Sequence, residues 1–101
     1  MGVYKVRFAR GVEQDLKKVK AFHRRMVFHA IEARLVDQPT RPTRNRKLLA
    51  SLVPPWTAEG LVWELRVGEY RIFYDVDEEE LVVYVRAIRH KPPRSTTEEI
   101  L

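Results

Sequence analysis

The chain has 101 residues, enough for one domain around a single modest core and too few for two. Lysine and arginine number 19 against 14 aspartate and glutamate, and the resulting net charge of +5 favours nucleic acid or an anionic surface as partner. The absence of cysteine excludes a disulfide scaffold and thiolate metal sites, and the three histidines lack ligand spacing. No apolar run is long enough to span a bilayer, and no signal-like block opens the chain, so a cytoplasmic protein with no metal, no cofactor and no membrane contact is expected.

From Val3 to Phe8, the residues Tyr4, Val6 and Phe8 alternate with Lys5 and Arg7, which predicts a half-buried strand. Gly11 marks the turn out of it. Val12, Leu16 and Val19 then recur at helical spacing, with Lys17, Lys18 and Lys20 on the wet side. The pattern from Ala21 to Asp37 is also helical, with Phe22, Met26 and Ala33 on one side and Val27, Ile31 and Leu35 on another. Two apolar stripes predict a helix held between a partner helix and a sheet. Neither Gly nor Pro marks the break between the two helices, so a helical hairpin and one long bent helix both remain open. His23 and His29 read as surface or boundary residues. Pro39 and Pro42 end the helix and open a polar loop carrying Arg41, Arg44, Arg46 and Lys47. Basic side chains in such a loop grip backbone phosphates without reading sequence. The loop continues through Leu48, Leu49 and Leu52, past Pro54, Pro55, Trp56 and Gly60, into the C-terminal strands.

Val62–Val67 and Tyr70–Val76 read as a hairpin joined by Gly68 and Glu69. A two-residue loop pairs Val67 with Tyr70, Arg66 with Arg71, Leu65 with Ile72 and Trp63 with Tyr74. That register gathers Trp63, Leu65, Val67, Tyr70, Ile72, Tyr74 and Val76 on one face, and a slip by one residue would expose them all. The arginines are left on the other face. Like charges directly opposite cost about 0.2–1 kcal/mol per pair, so facing guanidiniums imply a nearby carboxylate or a bound anion such as phosphate.

Leu81, Val83, Val85 and Ala87 alternate with Val82, Tyr84, Arg86 and Ile88 in the next strand. A turn centred on Glu78 and Glu79 pairs Val76 with Leu81, Ile72 with Val85 and Arg71 with Arg86. Arg66, Arg71 and Arg86 then form a row across three strands beside Phe73 and Tyr84, with His90 at the parity of Arg86 and Lys91 ending the strand. The plainer alternative is a solvated polar face with Glu64 and Asp75 paired to the arginines. After Pro92 and Pro93, Ser95-Thr96-Thr97-Glu98 carries a capping-box pattern for a short last helix, so residues 92–101 form either that helix or a flexible tail. The expected fold is α+β: an N-terminal strand, a helical hairpin, then a three-stranded antiparallel meander completing one sheet, all in a single domain over 1–101.

The stretch from Trp63 to Glu79, with its core WELRVGEYRIFYDV, resembles the signature of the RelE/ParE superfamily of type II toxins, and Thr43 to Leu48 resembles a subgroup of it. The resemblance runs from Val3 to about Lys91. It implies a small toxin neutralised by a cognate antitoxin. RelE-like members cut messenger RNA (mRNA), commonly in the ribosomal A site, whereas ParE-like members poison DNA gyrase. Arg71 matches the family arginine that contacts the scissile phosphate, and Arg66 another basic position before the turn. Lys91 falls where a later catalytic arginine lies in some members, and His90 where a general-acid histidine lies in others. Val62 and Glu64 stand where some members carry lysines, and no tyrosine follows Lys91.

A ribonuclease of this kind works without a metal, by attack of the ribose 2′-OH on the adjacent phosphate, which needs a proton acceptor, a donor and charge stabilisation. Arg71, aided by Arg66 or Arg86, supplies the last. Imidazole titrates near neutrality, which makes His90 the candidate acid or base, with Glu64 a second base. Arg44, Arg46, Lys47 and Lys91 would hold the RNA, and Phe73 and Tyr84 either stack a base or lie under the tail or an antitoxin segment. The first reading is therefore an mRNA endoribonuclease acting on translating ribosomes. The alternatives are a gyrase-inhibiting toxin and an inactive relative that only binds nucleic acid or a partner.

Overall fold

The computed structural model describes residues 3–58 and 60–101. Strand β1 (Lys5–Phe8) is followed by α1 (Val12–Lys17), α2 (Ala21–Leu35), β2 (Arg46–Leu49), β3 (Val62–Val67), β4 (Tyr70–Asp77), β5 (Val82–His90) and α3 (Thr97–Ile100). The strands form one sheet in the order β1-β5-β4-β3-β2, in which β1 runs parallel to β5 and every other pair is antiparallel. No helix among the described residues is long and apolar enough to cross a membrane.

The β3–β4 hairpin has the register its two-residue loop dictates, with Arg66 opposite Arg71 and Trp63 opposite Tyr74. Gly68, at φ 58, supplies the left-handed backbone that the turn requires. On the helix side, Leu65, Ile72, Tyr74, Val83 and Val85 meet Val27, Ile31 and Leu35 of α2 and Val12 at the start of α1. Each such fully buried side chain stabilises by roughly 1.5–3 kcal/mol. Tyr74 is the largest, and its hydroxyl donates to the Pro39 carbonyl at 2.6 Å. Burial raises its pKa, opposed by the nearby charge of Arg46.

Only one of the two stripes on α2 is buried. Phe22 stays 73% exposed and Met26 41%, because α1 has six residues, packs against β5, and does not lie over them. The two helices are separate, with Lys18–Lys20 between them. Strand β2 was expected as loop. It pairs Arg46 with Leu65 and Lys47 with Glu64 at the edge of the sheet, where the adjacent Leu48 and Leu49 give no alternation to read.

The register of β5 differs from expectation. Asp77 Oδ1 accepts from the amides of Glu79 and Glu80 at 3.0 and 3.1 Å, and Leu81 takes φ 56, so the turn is longer than two residues and Val76 faces Val83 rather than Leu81. A bulge between Phe73 and Tyr74 then shifts the pairing: Tyr74 faces Val85, Phe73 faces Ala87, and Arg86 is the extra residue. Arg71 therefore faces Arg89, not Arg86. The parity beyond the bulge is inverted, so Ile88 joins the helix-side core while Ala87 packs on the opposite face with Val62 and Phe73.

That opposite face is itself covered at its middle. Leu49, Leu52, Trp56, Ala58, Ile100 and Leu101 close over Val62, Phe73 and Ala87, and the Trp56 ring lies 5.8 Å from that of Phe73. A complete capping box starts α3, with the Glu99 amide donating to Thr96 Oγ1 and the Thr96 amide donating to the Glu99 carboxylate at 2.7 Å. The polar ends of the face lie on either side of this apolar patch.

Candidate functional site

At one end Asp75, fully buried, accepts from Arg86 Nε at 2.7 Å and Nη2 at 3.2 Å, and the same guanidinium lies over the Tyr84 ring at 4.7 Å. Arg86 is thus committed to an ion pair at the bulge, and the expected row of Arg66, Arg71 and Arg86 does not form.

At the other end a groove of about 380 Å³ opens between β2, the ends of β3, β4 and β5, and the start of α3. Arg71 forms its floor. The side chain is only 9% exposed, and Nη1 donates to the carbonyls of Gly68 and Tyr70, both at 2.9 Å. Burial lowers its pKa, with Glu64 acting against the shift and Arg66 adding to it. Two backbone bonds fix the guanidinium and leave its other N–H groups for a ligand. Arg66 faces it across the strands and is exposed. Lys47 enters from β2, Arg44 from the loop before it, and Lys91 from the end of β5, where its amide donates to the Glu69 carbonyl at 2.6 Å.

Glu64 is the lone carboxylate among the described residues lining the groove, and it is 4% exposed. Its Oε2 accepts from Thr97 Oγ1 at 3.0 Å, and its Oε1 lies 3.6 Å from Lys47 Nζ. Lys47 is largely solvated, so this ion pair adds little to stability. Positive charge dominates the groove.

Two residues expected here point elsewhere. Arg46 sits opposite Leu65, at the parity of the helix-side core. It borders the groove, but Nε donates to the Arg41 carbonyl at 2.8 Å and Nη1 to the Arg34 carbonyl in the last turn of α2. His90 pairs with Tyr70, and the bulge has put it on the helix side, where Nε2 lies 2.9 Å from Glu69 Oε1. No histidine among the described residues lines the Arg71 groove. Among residues that sequence reasoning missed, Asn45, Thr96 and Thr97 line the groove. Arg89 is next to Arg71 by register, yet Asp15 of α1 draws its guanidinium to the sheet edge at 2.5 Å. The same carboxylate accepts from the Ile88 amide at 3.0 Å. Only the bulge reveals Arg89, and nothing in the local sequence announces it. No group of three or more His, Asp or Glu among the described residues is placed to hold a metal ion.

The family model described as ParE toxin of type II toxin-antitoxin system, parDE, matches residues 6–91. No curated protein sequence matches the chain. Among solved structures, the chain is similar to one in the RelBE2 toxin-antitoxin complex from Mycobacterium tuberculosis, at 26% identity and TM-score 0.68, covering 90% of this chain and 94% of that one. It is also similar to a chain of the archaeal RelE-RelB complex from Pyrococcus horikoshii OT3, at 19% identity and TM-score 0.70, covering 92% and 99%. The isolated RelE toxin of E. coli shares the fold at 19% identity and TM-score 0.56, over 95% and 92%.

Proposed function

Because the chain belongs to the ParE toxin family of type II toxin-antitoxin systems, we propose that it is an endoribonuclease that cuts mRNA on translating ribosomes. The observation that carries this reading is Arg71, half of a like-charge pair, fixed by two backbone carbonyls at the floor of a cationic groove. Such a donor needs no reorganisation to meet a phosphorus gaining negative charge. In the reaction, the ribose 2′-oxygen attacks phosphorus and the bond to the 5′-oxygen breaks, leaving a 2′,3′-cyclic phosphate and a 5′-hydroxyl. Glu64 takes the 2′-OH proton, Arg71 with Arg66 holds the phosphoryl oxygens, and the Lys91 ammonium supplies the proton to the departing oxygen. The step is metal-independent and takes place in the cytoplasm. His90, on the other face, enters none of it.

A cognate antitoxin is the expected partner, as in the RelE-RelB and RelBE complexes that share the fold. One observation favours a second reading. A groove without imidazole, in a chain matched by the ParE family model, suits a toxin that binds DNA gyrase through the same cations and transfers no proton. Single-turnover cleavage of mRNA on programmed ribosomes separates the two. Cleavage by the wild-type chain, lost in Arg71→Ala, supports the nuclease; no cleavage together with inhibited supercoiling by gyrase replaces it with the second reading.

A further inference from the structure

A second basic cavity, of about 580 Å³, lies on the helix side of the sheet between the start of α2 and the β3–β4 turn. Its cations are Lys18 and Lys20, both exposed and, among the described residues, outside any ion pair. Its wall is a row of rings. His23 Nδ1 lies 2.8 Å from the Tyr70 hydroxyl, and the Tyr70 ring stands edge-on to His23 at 5.4 Å and to His90 at 5.5 Å. Glu69, the carboxylate at the rim, is already engaged with His90. The exposed Phe22 ring leans on His23 with centroids 4.2 Å apart.

This cavity is continuous with the Arg71 groove. A depression of about 340 Å³ between them shares Asn45 and Arg66 with the one and Met26 and Gly68 with the other. Gly68 is the crossing point. A Cβ there would lie in ordinary contact with Met26 Cε, at 3.6 Å.

We propose that the second cavity is a subsite for the same single-stranded RNA, with Lys18 and Lys20 holding backbone phosphates and the Phe22 ring stacking a base. The inference rests on the ribonuclease reading and extends it: the strand leaves the Arg71 groove, rounds the β3–β4 turn and continues on α2. Cations beside an exposed ring, in line with a phosphate groove, match the alternation of charge and π-face along a single strand. An acidic peptide matches the cations but gives Phe22 nothing periodic to stack.

The test titrates the chain with uncleavable 2′-O-methyl RNA, as a dinucleotide and as a decanucleotide, at several salt concentrations. Wild type should bind the decanucleotide more tightly. The double variant Lys18→Ala, Lys20→Ala should lower the salt slope for the decanucleotide by about 1.4, at ~0.7 per phosphate on a single strand, and leave dinucleotide binding as it was. Phe22→Ala should weaken the decanucleotide by roughly fivefold or more without changing the slope. An unchanged slope in the lysine variant overturns the subsite, as does a loss confined to antitoxin binding. Equal affinity of wild type for both lengths overturns it too, while leaving the nuclease reading intact. If wild type binds neither length, the subsite is overturned, while cleavage on programmed ribosomes decides the nuclease reading separately.

Discussion

Glu64 and Thr97 meet across the groove, the Thr97 hydroxyl donating to Glu64 Oε2 at 3.0 Å and so tying the middle of β3 to the first turn of α3. The bond joins the wall of the cationic groove to the segment whose Ile100 and Leu101 cover Phe73. Replacing the hydroxyl by a methyl of the same shape leaves a buried carboxylate short of a donor. Thr97→Val should cost about 1–3 kcal/mol, seen as a lower urea midpoint, with hydrogen exchange in α3 accelerating first.

Arg71→Ala should cut single-turnover cleavage by about 10²–10³-fold, the typical loss on removing one preorganised donor to a developing negative charge. Arg71→Lys should not restore it, because one ammonium cannot reproduce a planar fork held on two carbonyls. Stability should fall as well, because two backbone bonds from a charged donor, at about 1.5–3 kcal/mol each, outweigh the about 0.2–1 kcal/mol of relief from Arg66. Thermal melts beside the kinetics check that the effect is chemical.

For Arg46→Ala the order of effects should reverse. Its guanidinium serves the carbonyls of Arg34 and Arg41, bonds from a charged donor that are worth about 1.5–3 kcal/mol each. The denaturation midpoint should fall accordingly. The salt slope of RNA binding should drop by less than the ~0.7 expected for a neutralised phosphate contact.

Acid should loosen α3 before the rest of the fold. Hydrogen bonds with the Thr96 backbone and side chain hold the Glu99 carboxyl below its ordinary value of 4.5. The folded pKa is depressed, so the cap contributes fully above the ordinary value and is lost as pH falls through the lower, folded one. An NMR titration from about pH 6 to about pH 3 should show the Glu99 amide shifting with its own carboxyl, and Thr96→Ala should lessen the depression without removing it, because alanine keeps the backbone amide that is its larger cause.

What the residues declared in advance was the β3–β4 hairpin, because a two-residue turn and strict alternation from Trp63 to Tyr74 leave a single register. Arg71 and Arg66 followed from it. The β4–β5 pairing was not legible, since Asp77 organises the turn with its own side chain and the bulge inserts Arg86 in the middle of an apolar run. Local alternation has no way of marking one extra residue, and every parity beyond it, including that of His90, is then misjudged. Arg46 and Lys47 are neighbours in a basic run, and pairing with β3 alone decides that one joins the core side and the other the groove. A capping box was readable, but one residue early, on Ser95 to Glu98 where the structure has it on Thr96 and Glu99; the hold of Thr97 on Glu64, far away in sequence, was not readable.

The parallel pairing of β1 with β5 sets Lys5 against Val82, almost the length of the chain apart. During synthesis β1 emerges before β5 and waits, unpaired, until two helices and three strands between them have been made, a slow and aggregation-exposed kind of closure. The Arg71 groove is completed just as late, because Lys91, Thr96 and Thr97 line it together with Arg44 and Lys47. A nascent chain therefore carries neither the closed sheet nor the finished groove.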